Sequence, residues 1–142
     1  EASGIPTITT STALTAALRA LDAKRLLIST PYSDSVNQAE KQFLEDSGFE
    51  VLDIQGLGYT DPNCMPRTTV TEMYPLTKRM LVPEADTVFI SCTGINVMDG
   101  IQAMEKDFGR PVITSNQVSL WYALKTLGIC ETTAQGSLFR LL

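Results

Sequence analysis

Thr87-Val88-Phe89-Ile90-Ser91-Cys92-Thr93-Gly94 decides how this chain is read. Four β-favouring residues end in a small polar residue, then a cysteine, then Thr-Gly, and a helical pattern follows. The run predicts a buried strand with a thiol at its carboxyl end, facing the amino end of a helix. Backbone N–H groups and the helix dipole at such a place lower a thiol's pKa and attract carboxylates. Proton transfer or nucleophilic attack on a carboxylic acid is then within reach. A buried structural cysteine is the alternative reading of the same residues.

The pattern repeats on either side. Ser11 or Thr12 can cap a helix to about Leu21, with Leu14, Ala17, Leu18 and Leu21 on one face. Arg25 to Thr30 reads as a strand, and Ser33 or Asp34 as the cap of a helix to Asp46. That helix takes its buried stripe from Val36, Ala39, Phe43 and Leu44. Phe49 to Ile54 is a second strand, followed by a long irregular stretch from Gly56 to Thr69. Loops of this length are often lids or binding loops. A helix from Thr71 to Val82 comes next, with Pro75 near its first turn or bending it. After the Thr87–Ser91 strand a helix spans Asn96 to Phe108, stopped by Gly109. Pro111 to Thr114 is the fourth strand, and Gln117 to Leu127 the last helix. Strands and helices alternate with no hairpin signal. The expected fold is α/β: a parallel four-stranded sheet flanked by helices, a flavodoxin-like lobe.

Composition narrows the function. The chain has 142 residues, 44% hydrophobic and 19% charged, which suits one globular domain with a sizeable core. A net charge of −5 without a basic cluster argues against nucleic acid and anionic membranes as partners. No apolar run approaches the ~18 residues of a membrane span. Cys64, Cys92 and Cys130 are odd in number and widely spaced, so they form neither a disulfide framework nor a zinc motif, and they fit a reducing cytoplasm. Histidine is absent, which removes Ser-His-Asp and Cys-His catalysis from these residues and leaves Cys, Asp, Glu, Lys or Tyr for acid–base work. No P-loop, G-x-G-x-x-G or metal cluster is present in the sequence, and Gly56-Leu57-Gly58 alone is too weak to suggest a nucleotide.

In open parallel sheets ligands bind beyond the carboxyl ends of the strands. Three small-residue clusters fall there: Thr30-Pro31-Tyr32, Ser91-Cys92-Thr93-Gly94 and Thr114-Ser115-Asn116-Gln117. They supply hydroxyls, amides and one thiol, with few charges, which suits a carboxylate pocket. Taken singly, Ser33, Thr93, Ser115 and Asn116 can be helix caps, and their joint location favours a site. Tyr32 can donate its hydroxyl to a substrate oxygen or be a half-buried surface tyrosine. Trp121 and Tyr122 read as core or interface, Cys64 as a loop residue without a catalytic role, and Cys130 as structural.

Ser29-Thr30-Pro31-Tyr32, Ile90-Ser91-Cys92-Thr93-Gly94 and Thr114-Ser115-Asn116-Gln117 followed by Trp121 together resemble the maleate isomerase and arylmalonate decarboxylase branch of the aspartate/glutamate racemase superfamily. The likeness runs from Gly4-Ile5-Pro6 to the tail. It implies an enzyme of two similar α/β lobes, with the site in the cleft between them and no cofactor or metal. By this resemblance Cys92 is the second-lobe catalytic cysteine and Tyr32 holds a substrate carboxylate. The N–H groups of Thr93 and Gly94 complete an oxyanion pocket, Ser115 and Asn116 line it, and Asn63 lies near a family asparagine. The implied activity is cis–trans isomerisation of a maleate-like dicarboxylate. Decarboxylation of a substituted malonate, amino-acid racemisation, and a carboxylate-binding lobe or inactive fragment are the alternatives. The resemblance divides the chain into a crossover segment and helix (1–22), an α/β second lobe (23–128) and a return segment (129–142). That return segment would pack on a first lobe missing from this sequence. The expected partners are the small dicarboxylate, that first lobe and possible further copies of the chain.

Overall fold

The computed structural model describes residues 7–133 and 136–142. Gly4-Ile5-Pro6, where the resemblance starts, lies outside them. Four parallel strands form the sheet: β1 (Arg25–Tyr32), β2 (Glu50–Tyr59), β3 (Thr87–Ile90) and β4 (Val112–Thr114), in the spatial order β2-β1-β3-β4. Five helices connect and cover it: α1 (Thr10–Ala20), α2 (Asp34–Asp46), α3 (Val70–Met80), α4 (Ile101–Phe108) and α5 (Ser115–Thr126). This is the expected architecture.

Alternation along the strands sorts the core into two layers. Leu26, Ile28, Phe89 and Ile113 face one side and pack with Ala13, Leu14, Ala17 and Leu18 of α1 and Val118 and Trp121 of α5. Leu27, Val88, Ile90 and Val112 face the other, with Met73, Leu76 and Met80 of α3 and Ile101, Met104 and Phe108 of α4. Burial on both faces explains why β1 and β3 are near-continuous apolar runs. Trp121, 1% exposed, is a core residue. In the tail, Leu138 and Phe139 are buried in the α1–α5 layer, while Leu141 remains 39% exposed.

Several boundaries differ from expectation. Helix α1 starts at Thr10 because the Thr9 hydroxyl accepts the Thr12 N–H at 3.1 Å. Strand β2 continues through Gly56 and Gly58 to Tyr59, residues expected in a loop. Pairing with β1 holds it extended, with a register shift between Thr30 and Tyr32. Gly56 lies so close to β1 that an added Cβ would meet the Tyr32 carbonyl oxygen at 2.1 Å. The rest of the long stretch contains a 3-10 helix, Pro62–Arg67. Pro75 falls in the second turn of α3, which starts at Val70. In α2 the buried residues are Asn37 and Leu44, whereas Val36 and Phe43 are 46% and 39% exposed. The apolar stripe of α2 lines a groove instead of closing on the core.

The helix after β3 begins later than its pattern predicts. A 3-10 turn occupies Met98–Gly100 and α4 proper starts at Ile101. The intervening loop is drawn toward the start of α3, where the Asn96 N–H donates to the Thr68 carbonyl at 2.9 Å. Cys92 therefore does not face the amino end of the helix that follows it. Gly109 ends α4 as expected, in the left-handed conformation with φ 67°.

Candidate active site

The strand order fixes where a ligand can sit. The connection out of β1 leads to β2 on one side, while β3 lies on the other, so the chain reverses direction in the sheet between β1 and β3. A crevice opens at such a point beyond the carboxyl ends. Tyr32 ends β1 and Ser91-Cys92 follow β3, so the two residues singled out by the sequence flank the switch point.

Tyr32 is set in place by its own strand. The Thr30 hydroxyl accepts the Tyr32 N–H at 3.0 Å and donates to Asn37 Oδ1 at 2.6 Å. Thr30 and Asn37 are both buried. The phenol's pKa is raised, chiefly by burial and further by the adjacent Cys92 and the nearby Glu40 charge, while Ser91 acts in the opposite direction. Tyr32 therefore stays a neutral hydroxyl that can donate to an anion.

Cys92 is 5% exposed. Its backbone φ is 146°, a region that a residue with a Cβ adopts only when its surroundings force it. Those surroundings are visible. The Cys92 N–H donates to Ser115 Oγ at 3.1 Å, and the preceding Ser91 N–H donates to the Ser29 carbonyl at 2.9 Å. The Gly94 N–H points at Cys92 Sγ at 3.2 Å, and Met65 Sδ lies 3.9 Å from it. A backbone N–H aimed at sulfur supports negative charge there. The thiol packs with the α3–α4 layer and is bounded by Tyr32, Gly94 and Met65.

On the other side of Tyr32 a cavity of about 530 Å³ opens between α1 and α2. Its polar lining includes Tyr32, Glu40, Ser91, Thr93 and Ser115, with Thr10 and Ser11 from the start of α1, and its apolar lining includes Leu14, Val36, Phe43 and Phe89. Tyr32 thus borders both the thiol and the cavity.

The remaining candidates divide into two groups. Thr93, Gly94, Ser115 and Asn116 are brought to Cys92, largely as its supports. Ser115 holds the Cys92 N–H, and Asn116 Nδ2 donates to the Thr93 carbonyl at 3.2 Å. Thr114 caps α5 in a reciprocal box with Gln117, which fixes the start of the helix that carries them. Asn63 is not brought in. It is exposed, and both its backbone N–H and Nδ2 bind Asp61 Oδ1, at 2.9 and 2.8 Å. The 3-10 helix presents Met65 to the sulfur instead. Cys64 is half-buried and Cys130 exposed, and all three thiols are free. Among the described residues no His/Cys/Asp/Glu group could hold a metal ion, and no helix is long and apolar enough to cross a membrane.

Glu40 escaped the reading of the sequence. Its one signal was spacing: it lies four residues after Val36 and three before Phe43, inside an apolar stripe where a carboxylate has no ordinary reason to be. Burial raises its pKa, partly offset by Ser91.

Comparison with known proteins agrees with this geometry. The profile of the arylmalonate decarboxylase family matches residues 1–139. The chain belongs to that family. Arylmalonate decarboxylase of Bordetella bronchiseptica is 32% identical over 130 residues, covering 90% of this chain and 54% of the relative. A maleate isomerase of Pseudomonas putida is 27% identical over 125 residues, covering 87% and 50%. A solved Pseudomonas putida maleate isomerase variant with maleate superposes with a TM-score of 0.91 at 23% identity, covering 97% of this chain and 56% of that one, which establishes the shared fold. This arylmalonate decarboxylase family member spans about half the length of the curated relatives it matches.

Proposed function

We propose that this chain supplies the proton-transferring half of a cysteine-based, cofactor-independent enzyme acting on a small dicarboxylate. The observation that carries the reading is the pairing of Cys92 with Tyr32 across the switch point of the sheet, with the Gly94 N–H on the sulfur. In this reading Tyr32, Thr93 and Ser115 receive a carboxylate, and Cys92 faces the carbon next to it. For a substituted malonate, loss of carbon dioxide leaves a planar enediolate. The Cys92 S–H bond then breaks as the new C–H bond forms, the thiolate rests on the Gly94 N–H, and water returns its proton. The family match and the Bordetella relative support this decarboxylation.

Cis–trans isomerisation of a maleate-like acid uses the same thiol and is the second reading, supported by the maleate isomerase relative. The two differ in what stands on the opposite face of the substrate, which a further lobe would provide. A thiol there favours isomerisation, and a small side chain favours decarboxylation.

The test follows maleate and phenylmalonate separately by NMR in D₂O with the full-length protein and its Cys92→Ala variant. One substrate is consumed by the wild type, and the variant is slower by at least ~100-fold, the usual scale for a lost proton-transfer group. Unchanged turnover in Cys92→Ala removes the thiol from the chemistry, and two inert substrates refute the dicarboxylate assignment.

A further inference from the structure

Glu40 is the cavity residue that the proposed chemistry leaves unexplained. It shares the cavity with Tyr32, Ser91 and Ser115. Its Oε2 is closed off from solvent and has no hydrogen-bond partner. Among the described residues no lysine or arginine lines the cavity, and Lys41, next to Glu40 on α2, pairs with Glu45 at 3.7 Å. Around Glu40 the titratable neighbour is Tyr32 of β1, which in turn adjoins Cys92 beyond β3. Helices α1 and α5 and the rest of α2 bring no charged group to the lining, and β2 brings no residue at all. Ser91 is a hydrogen-bond partner of this carboxyl, yet charge on the unpartnered, solvent-excluded Oε2 is disfavoured. The raised pKa of this carboxyl agrees.

We propose that Glu40 is a specificity-determining residue that admits a carboxylate ligand only as a neutral acid: protonated, it leaves the Tyr32 rim open to an anion, and ionised, it expels one. This rests on the dicarboxylate reading above and adds to it a proton-linked control of which ligands bind. The physical reason is like-charge repulsion inside a part-buried cavity, where screening by water and salt is weak. A ligand that excludes the ionised form must take up one proton wherever Glu40 is charged in the free protein, so its affinity falls about tenfold per pH unit above the carboxyl's midpoint.

The experiment is calorimetric titration of the full-length protein with malonate between pH 5 and 9, in buffers of different ionisation enthalpy. Malonate's own titration is common to every protein compared, so the difference between wild type and Glu40→Gln isolates Glu40. Wild type takes up as much as one proton per malonate beyond malonate's own and loses affinity with rising pH, while Glu40→Gln shows only the proton uptake and pH dependence of malonate itself. Identical pH profiles for the two proteins overturn the role of Glu40 and leave the dicarboxylate reading standing. Absence of malonate binding by both proteins at every pH refutes the dicarboxylate reading and this inference with it. Should Glu40→Gln fail to fold, wild type alone decides, because binding with no proton uptake beyond malonate's own overturns the proposal.

Discussion

Cys92 illustrates how much a residue's chemistry depends on what its backbone is made to do. A φ of 146° is costly for any side chain, and here it is maintained by Ser115, Gly94 and the neighbouring strands. The result is a sulfur beside a tyrosine hydroxyl and a backbone donor. Tyr32 is the complementary case, a phenol that burial keeps protonated and able to donate. Tyr32→Phe removes that hydroxyl without disturbing the ring. We expect KM for the dicarboxylate to rise at least about tenfold, in line with the ~1.5–3 kcal/mol of a hydrogen bond to a charged group, with a smaller change in kcat. Steady-state kinetics on the full-length protein checks it, and an unchanged KM would place the carboxylate elsewhere.

At the scale of elements, the pairing of β1 with β2 determines where Tyr32 stands. The Thr30–Asn37 bond ties the end of β1 to the first turn of α2, and Gly56 lets β2 come close beside it. In Gly56→Ala the new methyl meets backbone oxygen at 2.1 Å, so β1 and β2 must separate. The expected loss is ~1–3 kcal/mol of stability, the range of an overpacked core, and it should come with impaired turnover because Tyr32 moves with the strand. Chemical denaturation read beside kinetics distinguishes this from a purely local adjustment, in which stability would change and kcat/KM would not. The loop after Cys92 teaches a related lesson. Its sequence pattern continues into helix from Asn96, yet the Asn96–Thr68 hydrogen bond holds it extended and delays α4 to Ile101.

Across the whole molecule, the cost of the site shows as pH-dependent stability. Glu40 has a folded-state pKa above its unfolded one. Below the unfolded value, near the usual ~4.3 of glutamate, both states are protonated and no penalty exists. As pH rises the unfolded chain ionises first, so stability declines through the window between the two values and stays low above the folded one. Glu40→Gln should therefore melt higher than wild type at pH 7, with the gap closing by about pH 4. Thermal melts across that range test it, and a gap that does not vary with pH would show that Glu40 is ionised in the folded protein without penalty. A substitution that stabilises the fold while removing proton-linked binding is what a functional compromise in the cavity predicts.

The sequence by itself determined the alternation of strands and helices, the parallel sheet, the two apolar faces of β1 and β3, and the thiol at the end of β3. Each is set by local periodicity and by residues adjacent in the chain, such as Gly109 closing α4. It also selected Tyr32 and Cys92, because small polar residues after apolar strands signal a strand end. Only the tertiary structure decided the order β2-β1-β3-β4, and with it that these two residues flank one crevice. It alone turned Asn63 toward Asp61, brought Met65 to the sulfur and set a half-buried Glu40 beside Ser91 and Tyr32. Those outcomes depend on contacts between segments distant in sequence, whose free energy no local pattern encodes.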